Sequence, residues 1–361
     1  MRVHVLTPGF TTPNGRAFLF PLKVWKCGLR AAGFDLLFFA DETPRLTDCD
    51  VLIVDSKFHK DAWQTSRQAL LDRFSSWAVA TRVLYFDTSD SAGWLLGDLL
   101  PIVHGYRKAQ LLRDRTAYLR PLYGFRAFTD YYYRRHQVED ANPELQAPLA
   151  NPGLLERLGV SWNSGLADYS SRGPLRMALR QRVPIDYLLR FPEVIALPKD
   201  DRPNAVSCRF GVTYARASVA WQRLKIRERL GALIPTEKVS RRQYMRELAT
   251  SRIVVSPFGL GEITLKDFEV FLTGGLLLKP DMSHMETWPD FFAGDRTMAS
   301  FSWDLDDLET VIERWLADRQ SAESVAGRGQ RQYLSHTCGE EASSLFVQQF
   351  SRAVLPVRTV Q

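Results

Sequence analysis

No apolar run in this 361-residue chain approaches the roughly 20 residues that span a bilayer, so no transmembrane anchor is expected. The N-terminal MRVHVLTPGF alternates like a short strand and then turns, without the apolar core and cleavage site of a signal peptide, so a cytoplasmic location is the expectation. Cysteine is scarce. Cys27, Cys49, Cys208 and Cys338 are far apart, no two have the spacing of a zinc or redox motif, and free thiols are predicted. The GxGxxG fingerprint of dinucleotide-binding enzymes is missing, which counts against a nicotinamide oxidoreductase. Internal repeats and low-complexity tracts are missing as well, which excludes a solenoid or a disordered chain.

What remains is a soluble globular composition, 45% hydrophobic and 24% charged, at a length that suits two domains of roughly 150–200 residues each. The net charge of +6 suits an anionic ligand, a membrane surface or nucleic acid. Short apolar runs at Val3–Leu6, Leu36–Phe39, Val51–Val54 and Arg82–Phe86 alternate with helical stretches near Ala17–Ala32 and Trp63–Trp77. That alternation predicts an α/β fold with a Rossmann-like, doubly wound parallel sheet. Ala141–Gly153, rich in proline and asparagine, reads as a linker or lid. Beyond it come a strand at Val206–Phe210, helices near Tyr214–Leu230 and Arg241–Thr250, a strand near Met298–Phe301 and further helices reaching Arg352.

The most informative stretch is Ser251–Phe292. A strand (Ile253–Val255) ends in a turn with Pro257, Gly259 and Gly261; an amphipathic helix follows, Gly274 and Gly275 stop it, and Leu276–Leu278 returns as a strand into Lys279 and Pro280. Ligands of parallel-sheet proteins sit at the carboxyl ends of such strands, and a glycine turn opening a helix is a recurring diphosphate device. Glu262, Lys266 and Glu269 stand at helical spacings that form surface ion pairs, or supply a ribose-binding carboxylate with a lysine on the phosphates. His284, one loop on, reads either as a structural hydrogen-bonder or as a catalytic group. Asp281, His284 and Glu286 match no zinc pattern, and no metal is expected.

In the first half, Asp87 and Asp90 follow a strand directly. One of them, or Ser89, is expected to cap the next helix, and the other is a candidate general base for a hydroxyl; Asp55 and His104 are alternatives. Tyr106–His136 is basic and aromatic. It reads as a solvated helix face with stacked arginines, or as a pocket in which Arg107, Lys108, Arg115 and Arg126 hold a phosphate or carboxylate. Nucleic-acid binding is disfavoured because the cluster is local.

Ser251–Gly259, Asp267–Glu269, Gly274 and Lys279–Pro280 together resemble the nucleotide-sugar-binding half of GT-B glycosyltransferases, which have two Rossmann-like domains facing across a cleft. The pattern is most similar to the exostosin-like and spore-protein-like groups, with Lys266, Glu269 and Gly274 at the matching places. Lys279–Pro289 is similar to glycosyltransferases from bacterial surface-polysaccharide gene clusters, those of lipopolysaccharide or capsule. The resemblance implies an acceptor-side domain over 1–140, a linker over 141–160, a nucleotide-sugar domain over 161–335, and a C-terminal helix over 336–361 packing back on the first domain. It implies donor contacts from Arg209, Ser256, Gly259, Gly261, Lys266, Glu269 and Lys279, with Glu269 on the ribose and Lys266 on the phosphates. Catalysis would draw on Asp87, Asp90, Glu262 and His284, and Arg107, Lys108, Arg115 and Arg126 would hold an acceptor or an anionic sugar. The implied substrates are a nucleotide-sugar donor (UDP-, GDP- or CMP-linked) and a glycan or glycolipid acceptor, with no cofactor, no metal, no nucleic acid and a peripheral contact with the inner membrane surface. The alternatives are a nucleotide-binding oxidoreductase and a noncatalytic anion- or polysaccharide-binding protein of the same fold.

Overall fold

The computed structural model describes residues 1–183 and 185–356; residues 357–361 of the expected C-terminal segment lie outside the described residues. The first unit opens with β1 (Arg2–Leu6), α1 (Pro13–Val24), α2 (Lys26–Ala31), β2 (Asp35–Phe39) and β3 (Val51–Asp55). It continues through α3 (Ala62–Thr65), α4 (Arg67–Ala80), β4 (Arg82–Asp87), β5 (Gly105–Lys108) and β6 (Gln110–Leu112). Then come β7 (Leu122–Tyr123), α5 (Ala127–His136), β8 (Leu145–Gln146), β9 (Leu158–Val160) and α6 (Gly173–Arg180). The second unit holds β10 (Asn204–Ser207), α7 (Ala217–Leu230), α8 (Arg241–Thr250), β11 (Ser251–Val255), α9 (Leu265–Thr273) and β12 (Leu276–Pro280). It ends with β13 (Met285–Thr287), β14 (Ala299–Phe301), α10 (Leu308–Ala317), α11 (Arg319–Thr337) and α12 (Gly339–Val354).

Each unit is built on a parallel sheet, in the two-domain α/β arrangement expected from the sequence. The first has the order β2-β1-β3-β4-β5-β9 and the second β10-β11-β12-β14. The central strands β3, β11 and β12 are almost wholly buried along their length, as strands covered by helices on both faces must be, which is why they read as unbroken apolar runs. The reversal of order between β1 and β3 makes that point the topological switch of the first sheet. The 158–160 segment, expected to be linker, is instead the sixth strand of the first sheet, paired in parallel with β5. The chain therefore enters the second sheet only at residue 204. The helix expected over Ala17–Ala32 is two helices, α1 and α2, meeting at Trp25.

One hydrophobic cluster runs through both units, and a second, around Ile226, Ile253, Leu278 and Trp315, lies within the second unit alone. Phe18, Phe86 and Trp162 join Phe268, Phe291 and Tyr333 in a continuous cluster. Phe346 and Phe350 of α12 pack on Trp162, and Phe350 also meets Phe34 edge-on, so the last helix returns to the first unit. No helix among the described residues is long and apolar enough to cross a membrane.

Candidate active site at the seam between the two sheets

The loops at the carboxyl ends of the two sheets meet face to face. Glu262, after β11, accepts from the Ala92 backbone N–H at 3.0 Å. Arg126 donates through Nε to Leu260 O at 2.5 Å. β13 pairs antiparallel with β6, which hydrogen-bonds the second unit to the first. The contact is tightest at Gly261, where a Cβ would lie 1.8 Å from the Asp90 carbonyl oxygen, so only glycine fits. Where a cleft between the two units is expected, the seam near Asn14, Asp90, Gln110 and Ile263 holds a cavity of only about 20 Å³.

The glycine turn folds as its sequence requires. Thr264 and Asp267 form a capping box at the start of α9, and Gly274 ends the helix in a left-handed conformation (φ +69°). The Asp267 carboxylate accepts from Thr264 N (2.9 Å), Thr264 Oγ1 (2.9 Å) and Ser256 Oγ (2.6 Å), and pairs with Lys279 Nζ at 3.0 Å. The anion at this helix N-terminus is thus the chain's own, complementing the helix dipole from inside. Lys279 and Asp267 are both fully buried, and burial lowers the Lys279 pKa against the pull of Asp267. Lys279 and Ser256, expected on the donor, are instead structural partners of Asp267.

Two cations beside this turn have a different character. Arg223 of α7 is buried and donates to Phe258 O (2.5 Å) and Gly211 O (2.9 Å), with its guanidinium 5.3 Å from the Tyr214 ring centroid. Lys266 of α9 donates to the carbonyls of Arg209 and Val255. Burial, then the nearby Arg223 charge, lowers the Lys266 pKa to about 8. Both positive charges are held by carbonyls rather than by a carboxylate, so their field at the ends of β10 and β11 is left for an anion. Arg223 was missed in the sequence. Its signal is an arginine on a helix that buries Val219, Ala220 and Ile226, where an arginine is costly unless its donors are satisfied. Arg209, also near Lys266, is tied to Glu247 at 3.0 Å. Glu269 is almost fully buried and pairs with Arg241. Gly259 donates its N–H to Gly261 O, which closes the turn.

Of the remaining candidates, Asp87 is fully buried against Lys108 (2.8 Å), Tyr106 Oη (2.7 Å) and Ser89 N (2.8 Å). Burial raises its pKa, but the Lys108 ammonium and these hydrogen bonds more than offset it, and the carboxyl stays below its ordinary value. Asp87 and Lys108, expected as base and as anion ligand, are therefore paired with each other. No helix follows Asp90 for it or Ser89 to cap; the chain runs in turns to β5. Asp90 is exposed, accepts from Asn14 Nδ2 at 2.7 Å, and borders both the seam and a cavity of about 400 Å³ in the first unit. Glu262 is fully buried with Oε1 unpartnered, and burial raises its pKa despite the Ala92 N–H and Arg126. Asp55 is likewise buried, its carboxyl pushed up to about 6. His104 is exposed and accepts from Val83 N through Nδ1.

The basic segment does not form one patch. Arg107 is buried and donates to Ala353 O (2.7 Å) and Arg157 O (2.9 Å). Arg115 pairs with Glu286, and Arg126 is spent on Leu260 and Gly124 carbonyls. His284 stacks edge-on against Trp303 at 4.7 Å, and burial lowers its pKa to about 4, so it is neutral at ordinary pH. Asp281 accepts from Ser283 and Glu286 pairs with Arg115, so these three residues do not converge.

Residues 205–346, which hold the whole glycine-turn unit, match the model of a family described as glycosyl transferase-like. No curated protein matches the chain. Among solved structures, the chain is similar to Anabaena HepE in complex with UDP-glucose (10% identity, 98% of each chain, TM-score 0.44). It is similar to an alpha-glucosyltransferase in complex with UDP-glucose and DNA containing an abasic site (11% identity, 98% of this chain and 99% of that one, TM-score 0.45). It is also similar to TarM (7% identity, 84% of this chain and 54% of that one, TM-score 0.44). Likenesses this distant assign no function. The architecture, two Rossmann-like units meeting at their carboxyl-end loops, is the GT-B arrangement.

Proposed function

We propose that this protein transfers a sugar from a nucleotide-sugar donor to a hydroxyl of a glycan or glycolipid acceptor. The observation that carries the reading is the pair Lys266 and Arg223, two cations without a carboxylate partner, beside the glycine turn within the segment that matches the glycosyl transferase-like family. In the reaction the acceptor oxygen attacks the anomeric carbon, the bond from that carbon to the diphosphate oxygen breaks, and the acceptor proton passes to a carboxylate. Lys266 and Arg223 stabilise the negative charge that develops on the leaving diphosphate, so no metal is required. Glu269 binds the ribose diol in place of Arg241.

Asp90 is the base this geometry favours, since it is exposed and faces both the seam and the cavity where Trp63, Trp94 and Lys57 offer ring faces and charge to a glycan. Glu262, with its raised pKa and free Oε1, is the second carboxyl in reach of the seam. Donor entry requires the loops around Gly261 to part, and their return excludes water. UDP, GDP and CMP sugars all suit this chemistry. The acceptor is read as a precursor of a bacterial surface polysaccharide, at the cytoplasmic face of the inner membrane. Exposed Leu175 and Leu179 on α6, beside Arg172, support a peripheral membrane contact.

Glu269→Ala is expected to weaken nucleotide-sugar binding by roughly tenfold, the loss typical of a charge-assisted hydrogen-bonding group, and to lower turnover. Calorimetric titration and product detection by mass spectrometry check this. Unchanged affinity and turnover would remove Glu269 from the site.

A further inference from the structure

A second cavity, of about 800 Å³, lies away from the glycine turn, between the carboxyl ends of β12 and β14 and the 112–135 segment of the first unit. Leu112, Ala117, Leu122 and Ala127 give it an apolar wall, and the Trp303 ring adds to it. Four arginines also line it, Arg113, Arg120, Arg134 and Arg135, against two aspartates. Both aspartates are engaged: Asp114 accepts from Thr116 N at 2.9 Å, and Asp130 accepts from Tyr123 N at 3.0 Å and pairs with Arg134 at 2.8 Å. Arg113 is held by the Ser283 and Met285 carbonyls, both at 3.0 Å. Among the described residues, the guanidinium groups of Arg120 and Arg135 make no hydrogen bond or ion pair, and both residues are exposed.

The chemistry of this lining selects its ligand. Its two hydroxyls, on Tyr131 and Ser283, already donate to Asp304 and Asp281, and the one neutral polar side chain left without a partner is the His284 imidazole, whose nitrogens are buried, so a sugar ring or a nucleobase would meet a single neutral partner for its many polar groups. A hydrocarbon body loses nothing on such a wall, and guanidinium groups at the rim match a phosphate or carboxylate bidentately. The volume suits a ligand of moderate size. We infer that this cavity binds an amphiphilic anion, its phosphate or carboxylate head held by Arg120 and Arg135 and its hydrocarbon body laid on the apolar wall. On the reading of sugar transfer, which this deepens, such a ligand is the anchoring part of a lipid-linked acceptor, but the binding can be measured without transfer.

The test is calorimetric titration of the full chain with farnesyl phosphate and with laurate, below their aggregation concentrations, alongside farnesol and UDP. Farnesyl phosphate or laurate, whichever head is preferred, is expected to bind, and Arg120→Ala/Arg135→Ala to weaken that binding roughly tenfold or more. The exposed Arg120→Lys/Arg135→Lys pair should keep part of the affinity. Glu269→Ala should leave it unchanged, which separates failure of this inference from failure of the donor reading. Absence of binding by both anions, equal binding of farnesol, or no loss in the double alanine variant would each overturn it.

Discussion

Asp267→Ala is expected to lower the unfolding free energy by about 3–5 kcal/mol, the cost of leaving one member of a buried ion pair without its partner. The residue stranded is Lys279, whose side chain is fully buried. The same substitution removes the capping box of α9 and the acceptor of Ser256 Oγ. Chemical denaturation monitored by circular dichroism measures the loss. The second arm is the double variant Asp267→Ala/Lys279→Met, which removes the orphaned charge and should recover most of the difference. If the single variant lost less than about 1 kcal/mol, well short of the range for a broken buried pair, Lys279 would have another partner. It would then again be a candidate for the donor phosphates.

Gly261→Ala is the other change with a large expected effect, and it acts on the seam. The added methyl group would fall 1.8 Å from Asp90 O and 2.5 Å from its carbonyl carbon. Both atoms belong to backbone, so no rotamer change relieves the overlap, and the loops carrying Leu260–Glu262 and Asp90–Ala92 must separate. Overpacking of this kind costs at least about 1–3 kcal/mol. It should also break the Glu262–Ala92 hydrogen bond. The expected result is a lower midpoint of denaturation together with faster amide exchange at Ala92. Wild-type stability and protection in this variant would mean that the two units do not meet as described.

The strand, turn, helix and strand around Ser251–Phe292 could be read in advance because every signal for it is local. The apolar runs, the turn with Pro257, Gly259 and Gly261, and the Gly274 stop all lie within a few residues of what they control. The seam could not be read this way. Nothing near Glu262 in sequence announces that its carboxylate meets Ala92, 170 positions earlier. The same distance effect misplaced charges. Asp87 stood out as a carboxylate following an apolar strand and Lys108 as one cation of a basic, aromatic run, yet the two neutralise each other across adjacent strands. Arg107 stood out in the same basic run, and its donors turn out to be satisfied by carbonyls of Arg157 and of α12. Arg120 and Arg135 belong to the same basic run, and only the fold shows that they share a cavity with Trp303. A local pattern reports helices, turns and glycines well, whereas the partner of a buried charge is a long-range fact.

The central claim is that Lys266 and Arg223 serve a nucleotide-sugar diphosphate. Its most direct test is calorimetric titration of the wild-type chain with UDP-, GDP- and CMP-sugars and with NAD, repeated on Lys266→Met and Arg223→Met with circular dichroism confirming the fold. The account predicts binding of at least one nucleotide sugar, no comparable response to NAD, and a loss of roughly tenfold or more in each folded variant. Tight NAD binding with no response to any sugar nucleotide would contradict it.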